Sequence, residues 1–135
     1  MNPIFLKLGD FLKSRDEIIF AFIFGSQHSG KIHALSDIDI GIYVKDHALS
    51  SQEYAYGYVP SLLGTLPQEL QNKDIDIVIL NDAPILLRHR CIYGGKVLFT
   101  KDSRFLTKFK VKTLLEYLDT KPLREKIKKA LYGKK

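Results

Sequence analysis

The sequence is poor in cysteine and has no long hydrophobic run. Cys91 is the only cysteine among 135 residues, so no intrachain disulfide can form, which fits a protein of the reducing cytosol. The longest apolar run, Ile18–Phe24, is far shorter than the roughly 20 residues of a transmembrane helix. The first residues lack the basic and apolar stretches of a secretion signal. These absences predict a cytoplasmic protein with no membrane segment, in which Cys91 is a buried structural thiol.

The sequence also lacks the G-x-x-x-x-G-K-[ST] pattern, which argues against a P-loop nucleotide-binding protein. Net positive charge is missing from the first 100 residues. Residues 1–100 carry 9 Lys and Arg against 11 Asp and Glu, whereas residues 101–135 carry 12 against 4. A basic segment of this kind is typical of a solvated surface, of a surface that binds an acidic partner protein, or of one that binds an RNA backbone.

At 135 residues the chain is expected to form one domain over residues 1–135. Hydrophobic periodicity predicts a core in residues 1–100 and basic amphipathic helices in residues 101–135. The core mixes helices with four strands, which indicates the α+β class. Its predicted elements are a helix from Pro3, strands at 18–24, 40–44, 75–80 and 96–100, and helices at 52–66 and 85–93. The basic segment is expected to form two helices that break near Lys121-Pro122 and pack on the core.

The most informative pattern is Gly25-Ser26 followed, after ten residues, by Asp37-Ile38-Asp39. Side chains alternate across a strand, so Asp37 and Asp39 lie on one side while Ile38 points into the core. Two adjacent carboxylates are unfavourable unless a cation lies between them, and Mg²⁺ prefers such oxygen ligands. The pattern therefore predicts metal-dependent transfer of a nucleotide.

A second acidic pair, Asp74-Ile75-Asp76, opens a later strand and can supply a third carboxylate. Asp76 is the better candidate because it lies further into the strand, whereas Asp74 is expected to end in solvent. In a site with two metal ions, a third carboxylate can share the second ion and help to deprotonate an attacking hydroxyl. We therefore predict that Asp76 faces Asp37 and Asp39.

The segment that follows the first strand has the residues of a phosphate-binding turn. Ser26 can donate its hydroxyl to a terminal phosphate, and Gly25 and Gly30 lack the Cβ atoms that would keep backbone amides away from it. Nucleotidyl transfer depends mostly on positioning and on neutralising the charge of the phosphate oxygens. Further along, Arg88 and Arg90 are candidates either to reach a phosphate or to remain solvated.

The segments Phe24–Gly30 and Ser36–Ile40 resemble the core motif of the nucleotidyltransferase superfamily that includes DNA polymerase beta. The resemblance covers about residues 18–100. The small size of the chain resembles most the minimal nucleotidyltransferases (MNT) found as antitoxins beside HEPN-domain toxins. The resemblance implies a polymerase beta-like core, with a mixed sheet of about four strands flanked by helices.

The resemblance also implies roles for individual residues. Gly25 and Ser26 would hold the triphosphate of ATP. Asp37, Asp39 and Asp76 would be the catalytic carboxylates and the ligands of one or two Mg²⁺ ions.

One departure from the family pattern concerns the glycine-rich turn. Relatives often carry a basic residue just before the glycine that is matched by Gly30, where this chain has Ser29. Lys31 comes directly after Gly30, and we assign the phosphate contact to it.

In the antitoxin branch, AMP passes from ATP to a tyrosine hydroxyl of the partner HEPN toxin, a ribonuclease that is thereby neutralised. A toxin partner favours the protein-binding interpretation of the basic segment over direct binding of nucleic acid. One alternative is transfer to a small hydroxylated molecule such as an aminoglycoside, although such an acceptor needs an extra domain to form a pocket. Another is a non-catalytic antitoxin that acts by binding and occlusion alone.

Overall fold

The computed structural model describes residues 3–24, 38–50, 57–71 and 73–132, which form a mixed sheet with helices on both faces. The strands are β1 (Ile18–Phe24), β2 (Ile38–Val44), β3 (Ile75–Ile79) and β4 (Lys96–Thr100). The helices are α1 (Pro3–Lys13), α2 (Asp46–Leu49), α3 (Tyr58–Gly64), α4 (Gln68–Gln71), α5 (Ile85–Gly94) and α6 (Ser103–Tyr132). The predicted α+β class with a four-stranded mixed sheet is confirmed.

The strands lie in the order β3-β2-β1-β4. β1 is antiparallel to both of its neighbours, β2 and β4, whereas β2 and β3 are parallel. β1 is apolar at all seven positions because helices cover both faces of this central strand. The parallel pair needs a long crossover connection, and α2, α3 and α4 lie on it.

Each face of the sheet carries its own apolar core. One core lies between the sheet and α1 and α3, and its fully buried members include Leu8, Leu12, Ile40, Ile42 and Leu62. The other lies under α5 and α6 and is rich in aromatic side chains, among them Phe20, Phe22 and Phe109. The predicted apolar stripe of α1 is confirmed, since Phe5, Leu8 and Leu12 are buried. Burying each such side chain contributes about 1.5–3 kcal/mol.

The helix predicted at 52–66 is shorter in the structure. Residues 51–56 lie outside the described ranges, and Gly57 precedes α3 with a φ of 102° that favours glycine. α3 therefore begins at Tyr58. Pro60 is compatible with this helix because the N–H groups of a first helical turn have no intrahelical partner.

The predicted break near Lys121-Pro122 is wrong, because α6 is a single helix of 30 residues with Pro122 inside it. Pro122 cannot donate a backbone hydrogen bond to the preceding turn. The carbonyl that loses its helical donor is that of Leu118, four residues earlier. Side chains bind the two carbonyl oxygens just before it. The Thr120 hydroxyl donates to the carbonyl of Glu116 at 3.0 Å, and the Arg124 guanidinium donates to the carbonyl of Tyr117 at 3.1 Å.

The expectation that the whole basic segment packs on the core holds only for the first half of α6. Leu106, Phe109 and Thr113 are buried, whereas Ile127 and Leu131 are 49% and 71% exposed. A helix of 30 residues is about 45 Å long, but strands of five to seven residues span only about 17–24 Å. The second half of α6 therefore extends past the sheet. Even so, no helix in the described ranges is long and apolar enough to span a bilayer.

Candidate nucleotidyl-transfer site

Three residues lie opposite one another across the sheet. Phe24 of β1 pairs with Asp39 of β2, and Asp39 pairs with Asp76 of β3. We call Phe24, Asp39 and Asp76 the carboxylate row. Directly opposed residues of neighbouring strands point to the same face of a sheet. Their sequence neighbours on β2 and β3 point to the α1 side, where Ile38, Ile40, Ile75 and Ile77 are buried. The two carboxylates therefore face the side of α5.

The two carboxylates differ in exposure. Asp39 is half-buried and Asp76 is exposed at the start of β3. Burial raises the pKa of Asp39 above its ordinary value, the charges of Asp76 and Asp74 raise it further, and the Arg90 guanidinium acts in the opposite direction. The raised pKa shows that the ionised form of Asp39 is costly in this setting. A cation between the carboxylates would relieve this cost.

The donor set fits a hard divalent cation. Asp39 and Asp76 offer carboxylate oxygens from adjacent strands, and Mg²⁺ takes one or two such ligands and completes its shell with water and phosphate oxygens. Within the described ranges, no three His, Cys, Asp or Glu side chains come together as a metal-binding group. The remaining predicted carboxylate, Asp37 of the first acidic pair, lies outside those ranges.

The structure describes two of the predicted site residues, Asp39 and Asp76, and brings them together in direct register. The predicted solvent exposure of Asp74 also agrees with the structure, although Asp76 is exposed as well. The remaining predicted residues lie outside the described ranges: Gly25, Ser26, Gly30, Lys31 and Asp37. Their assignments stay predictions. β1 ends at Phe24, so the chain leaves the carboxylate row directly before Gly25.

Two glycines for which the sequence predicted no role at the site let α5 pack close to the row. A Cβ atom on Gly41 would lie 3.1 Å from both Cys91 Sγ and a Leu80 methyl. A Cβ atom on Gly95 would lie 2.5 Å from the carbonyl oxygen of Ile23. For Gly41 a sequence signal exists, since glycine inside an apolar strand indicates such a close approach. Cys91 is buried as predicted, and burial raises the pKa of its thiol to about 12, so it is not a nucleophile.

The two candidate arginines of α5 have different surroundings. Arg88 Nε donates to the carbonyl of Ala83 at 2.9 Å, and its Nη2 donates to Glu116 Oε1 at 2.7 Å. Arg88 thus joins α5 to α6. Arg90 is exposed, and its Cζ lies 5.9 Å from the centroid of the Phe24 ring. Of the two, Arg90 is the arginine at the carboxylate row.

We expect the substitution Asp39→Asn to stabilise the metal-free protein at pH 7. Because burial raises the folded-state pKa of Asp39, the folded state binds more protons than the unfolded state as pH falls through that value. The charge of Asp39 therefore lowers stability above its folded pKa, and this penalty disappears as pH falls to the ordinary value of 3.8. Urea unfolding in a chelator at several pH values measures the effect. A variant that is less stable at pH 7, or a difference that does not shrink in acid, would contradict this prediction.

The family is established by sequence. The sequence model described as "Polymerase beta, Nucleotidyltransferase" matches residues 7–104. This match covers more than half of the chain, so the chain belongs to the polymerase beta nucleotidyltransferase family and carries a nucleotidyltransferase domain. No curated protein matches the sequence.

Several solved structures with the same fold are described as toxin-antitoxin structures. A chain of a toxin-antitoxin complex with AMP-PNP is 24% identical, with a TM-score of 0.72, and the match covers 96% of this chain and 98% of that one. A chain of the complex of a tri-AMPylated Shewanella oneidensis HEPN toxin with an MNT antitoxin is 22% identical, with a TM-score of 0.69, over 98% of this chain and 100% of that one. A chain of the MntA-HepT toxin-antitoxin complex is 21% identical, with a TM-score of 0.68 and the same coverage. At these identities the likeness establishes the fold.

Proposed function

We propose that this protein is a Mg²⁺-dependent adenylyltransferase that transfers AMP from ATP to a tyrosine hydroxyl of a HEPN-domain toxin and thereby acts as its antitoxin. The observation that carries the proposal is the direct register of Asp39 and Asp76, in a chain of the polymerase beta nucleotidyltransferase family. The similar complexes support the choice of substrate and acceptor, since one contains AMP-PNP and another an AMPylated HEPN toxin.

In this proposal Asp37, Asp39 and Asp76 are the ligands of Mg²⁺, which neutralises charge on the phosphate oxygens when bound. Gly25, Ser26, Gly30 and Lys31 hold the triphosphate. The acceptor oxygen attacks the α-phosphorus, the bond from that phosphorus to the bridging oxygen breaks, and pyrophosphate leaves. Asp76 is exposed and can therefore be reached by the acceptor, so we assign to it the proton of the attacking hydroxyl.

The second half of α6 supports a protein acceptor. Among the apolar side chains there that are about half exposed or more are Leu123, Ile127 and Leu131. They lie among the cations Lys126, Lys128 and Lys129, while Glu125 is the nearby anion. Exposed apolar residues with a polar rim are typical of protein-binding surfaces. The positive charge would repel a second copy of this helix and attract an acidic partner.

Intact-protein mass spectrometry tests the proposal. A HEPN-domain protein encoded beside this one would be incubated with the wild-type protein, Mg²⁺ and each of the four nucleoside triphosphates. We expect the partner to gain the mass of one or more AMP groups with ATP, and to gain nothing when Mg²⁺ is chelated. A partner that is neutralised without gaining mass with any triphosphate would contradict the enzymatic proposal and favour neutralisation by occlusion.

A further inference from the structure

Arg90 lies beside the end of β1, at Phe24 of the carboxylate row. Its guanidinium carbon is 5.9 Å from the centroid of the Phe24 ring, within the range of a cation–π contact. Phe24 is the last residue of β1 and is paired with Asp39. Arg90 therefore lies beside the row at the end from which the predicted phosphate-binding turn begins.

Apart from its contact with the Phe24 ring, Arg90 has no specific interaction with another side chain in the described part of the chain. It makes no hydrogen bond and no ion pair there, whereas Arg88 uses its guanidinium to bind Ala83 and Glu116. Its charge nevertheless acts on Asp39, whose pKa it lowers against the larger effect of burial. An exposed guanidinium beside a polar site is available to a ligand when, as here, none of the described residues uses its donors.

The position of Arg90 is fixed by close packing on both sides. Cys91, the next residue of α5, lies against Gly41 of β2, where even a Cβ atom would be 3.1 Å from its sulfur. Gly95, just after α5, lies so close to β1 that a Cβ atom would be 2.8 Å from Cβ of Phe24. These contacts hold α5 against the two strands that carry Phe24 and Asp39. The helix therefore presents Arg90 from a rigid base, as a preorganised binding residue requires.

We infer that Arg90 binds the β- and γ-phosphates of the nucleoside triphosphate, as a fixed cation outside the glycine-serine turn and the metal-binding carboxylates. This inference rests on the proposed function. Its chemistry follows from the geometry, because a guanidinium offers two parallel N–H donors that match two phosphate oxygens. The phosphates that leave as pyrophosphate gain charge during transfer, so a fixed cation there stabilises both the bound substrate and the leaving group.

Calorimetric titrations with ATP, ADP and AMP, in Mg²⁺ and without a partner protein, test the inference. The variants are Arg90→Gln, which removes the charge, and Arg90→Lys, which keeps the charge but loses the two parallel N–H donors. The matched control is Arg104→Gln, an exposed arginine in the first turn of α6. Arg104 lies away from the carboxylate row. Its sequence neighbour Phe105 packs on Tyr43 with ring centroids 4.9 Å apart, and Tyr43 is about 13 Å along β2 from Asp39.

We expect Arg90→Gln to weaken ATP binding about 10- to 100-fold and AMP binding less than about 2-fold, with Arg90→Lys between Arg90→Gln and the wild type. The control should bind all three nucleotides as the wild type does. Unchanged ATP binding in Arg90→Gln would overturn the inference. An equal loss for ATP and AMP would also overturn it, because a merely structural role affects both.

The test also separates this inference from the proposed function. If the wild-type protein binds no triphosphate, both are overturned. If ATP binds in an Arg90-dependent manner but no partner protein receives AMP, the inference on Arg90 stands and the proposed acceptor is wrong.

Discussion

Replacing Asp39 or Asp76 by Asn should lower the rate of AMP transfer by about 1000-fold or more, with little change in the fold. Each substitution keeps the shape of the side chain but removes one of the two negative charges that lie in register across β2 and β3. Without that charge the pair no longer favours a divalent cation, and the charge that develops on the phosphates is left unneutralised. The rate is measured by mass spectrometry of the partner protein over time.

The matched control for this prediction is Asp74→Asn. Asp74 lies two residues before Asp76, about 7 Å along the chain, and it is also exposed. The substitution removes the same charge from the same region and leaves Asp39 and Asp76 unchanged. We expect at most a few-fold change in the rate. If Asp74→Asn is as damaging as Asp76→Asn, the effect comes from the general field of the region, and the specific role of the row is refuted.

The substitution Gly95→Ala should lower the free energy of unfolding by about 3 kcal/mol. The added Cβ atom would lie 2.5 Å from the carbonyl oxygen of Ile23, 2.6 Å from that of Cys91 and 2.8 Å from Cβ of Phe24. Two of these atoms belong to the backbone and the third to a buried strand residue, so none can move aside without shifting β1 or α5. Urea unfolding monitored by circular dichroism gives the free energy.

Gly94→Ala is the control, one residue away at the end of α5. A Cβ atom on Gly94 meets nothing within 4 Å, and alanine is the better helix former, so stability should stay the same or rise by up to about 1 kcal/mol. A similar loss in both variants would show that the end of α5 tolerates no side chain for a reason other than the close contact with β1. Because this contact also sets the position of Arg90, Gly95→Ala should weaken ATP binding as well.

Much of the fold follows from local sequence signals. β1 and β4 have the predicted bounds, because each is an apolar run that ends at polar or turn-forming residues. It was also predictable that Asp39 and Asp76 point away from the buried isoleucines, since each Asp lies in an Asp-x-Asp pair that opens a strand. Periodicity and alternation are enough for these features because they reflect burial directly.

Other features depend on contacts between elements that are distant in the sequence. α6 is a single helix through Pro122, which local propensity alone does not predict. The different surroundings of Arg88 and Arg90 arise because α6 brings Glu116 to one and not to the other. The packing of α5 at Gly41 and Gly95 likewise requires knowledge of which strands it covers.

Labelling of the partner protein with radioactive ATP tests the central claim most directly. The account predicts that label at the α-phosphorus appears on the HEPN-domain partner in the presence of Mg²⁺, that label at the γ-phosphorus does not, and that Asp39→Asn abolishes the transfer. Transfer of the γ-label would indicate a kinase. If neither label is transferred, although the wild-type protein binds ATP, the claim that the carboxylate row carries out nucleotidyl transfer to this partner is contradicted.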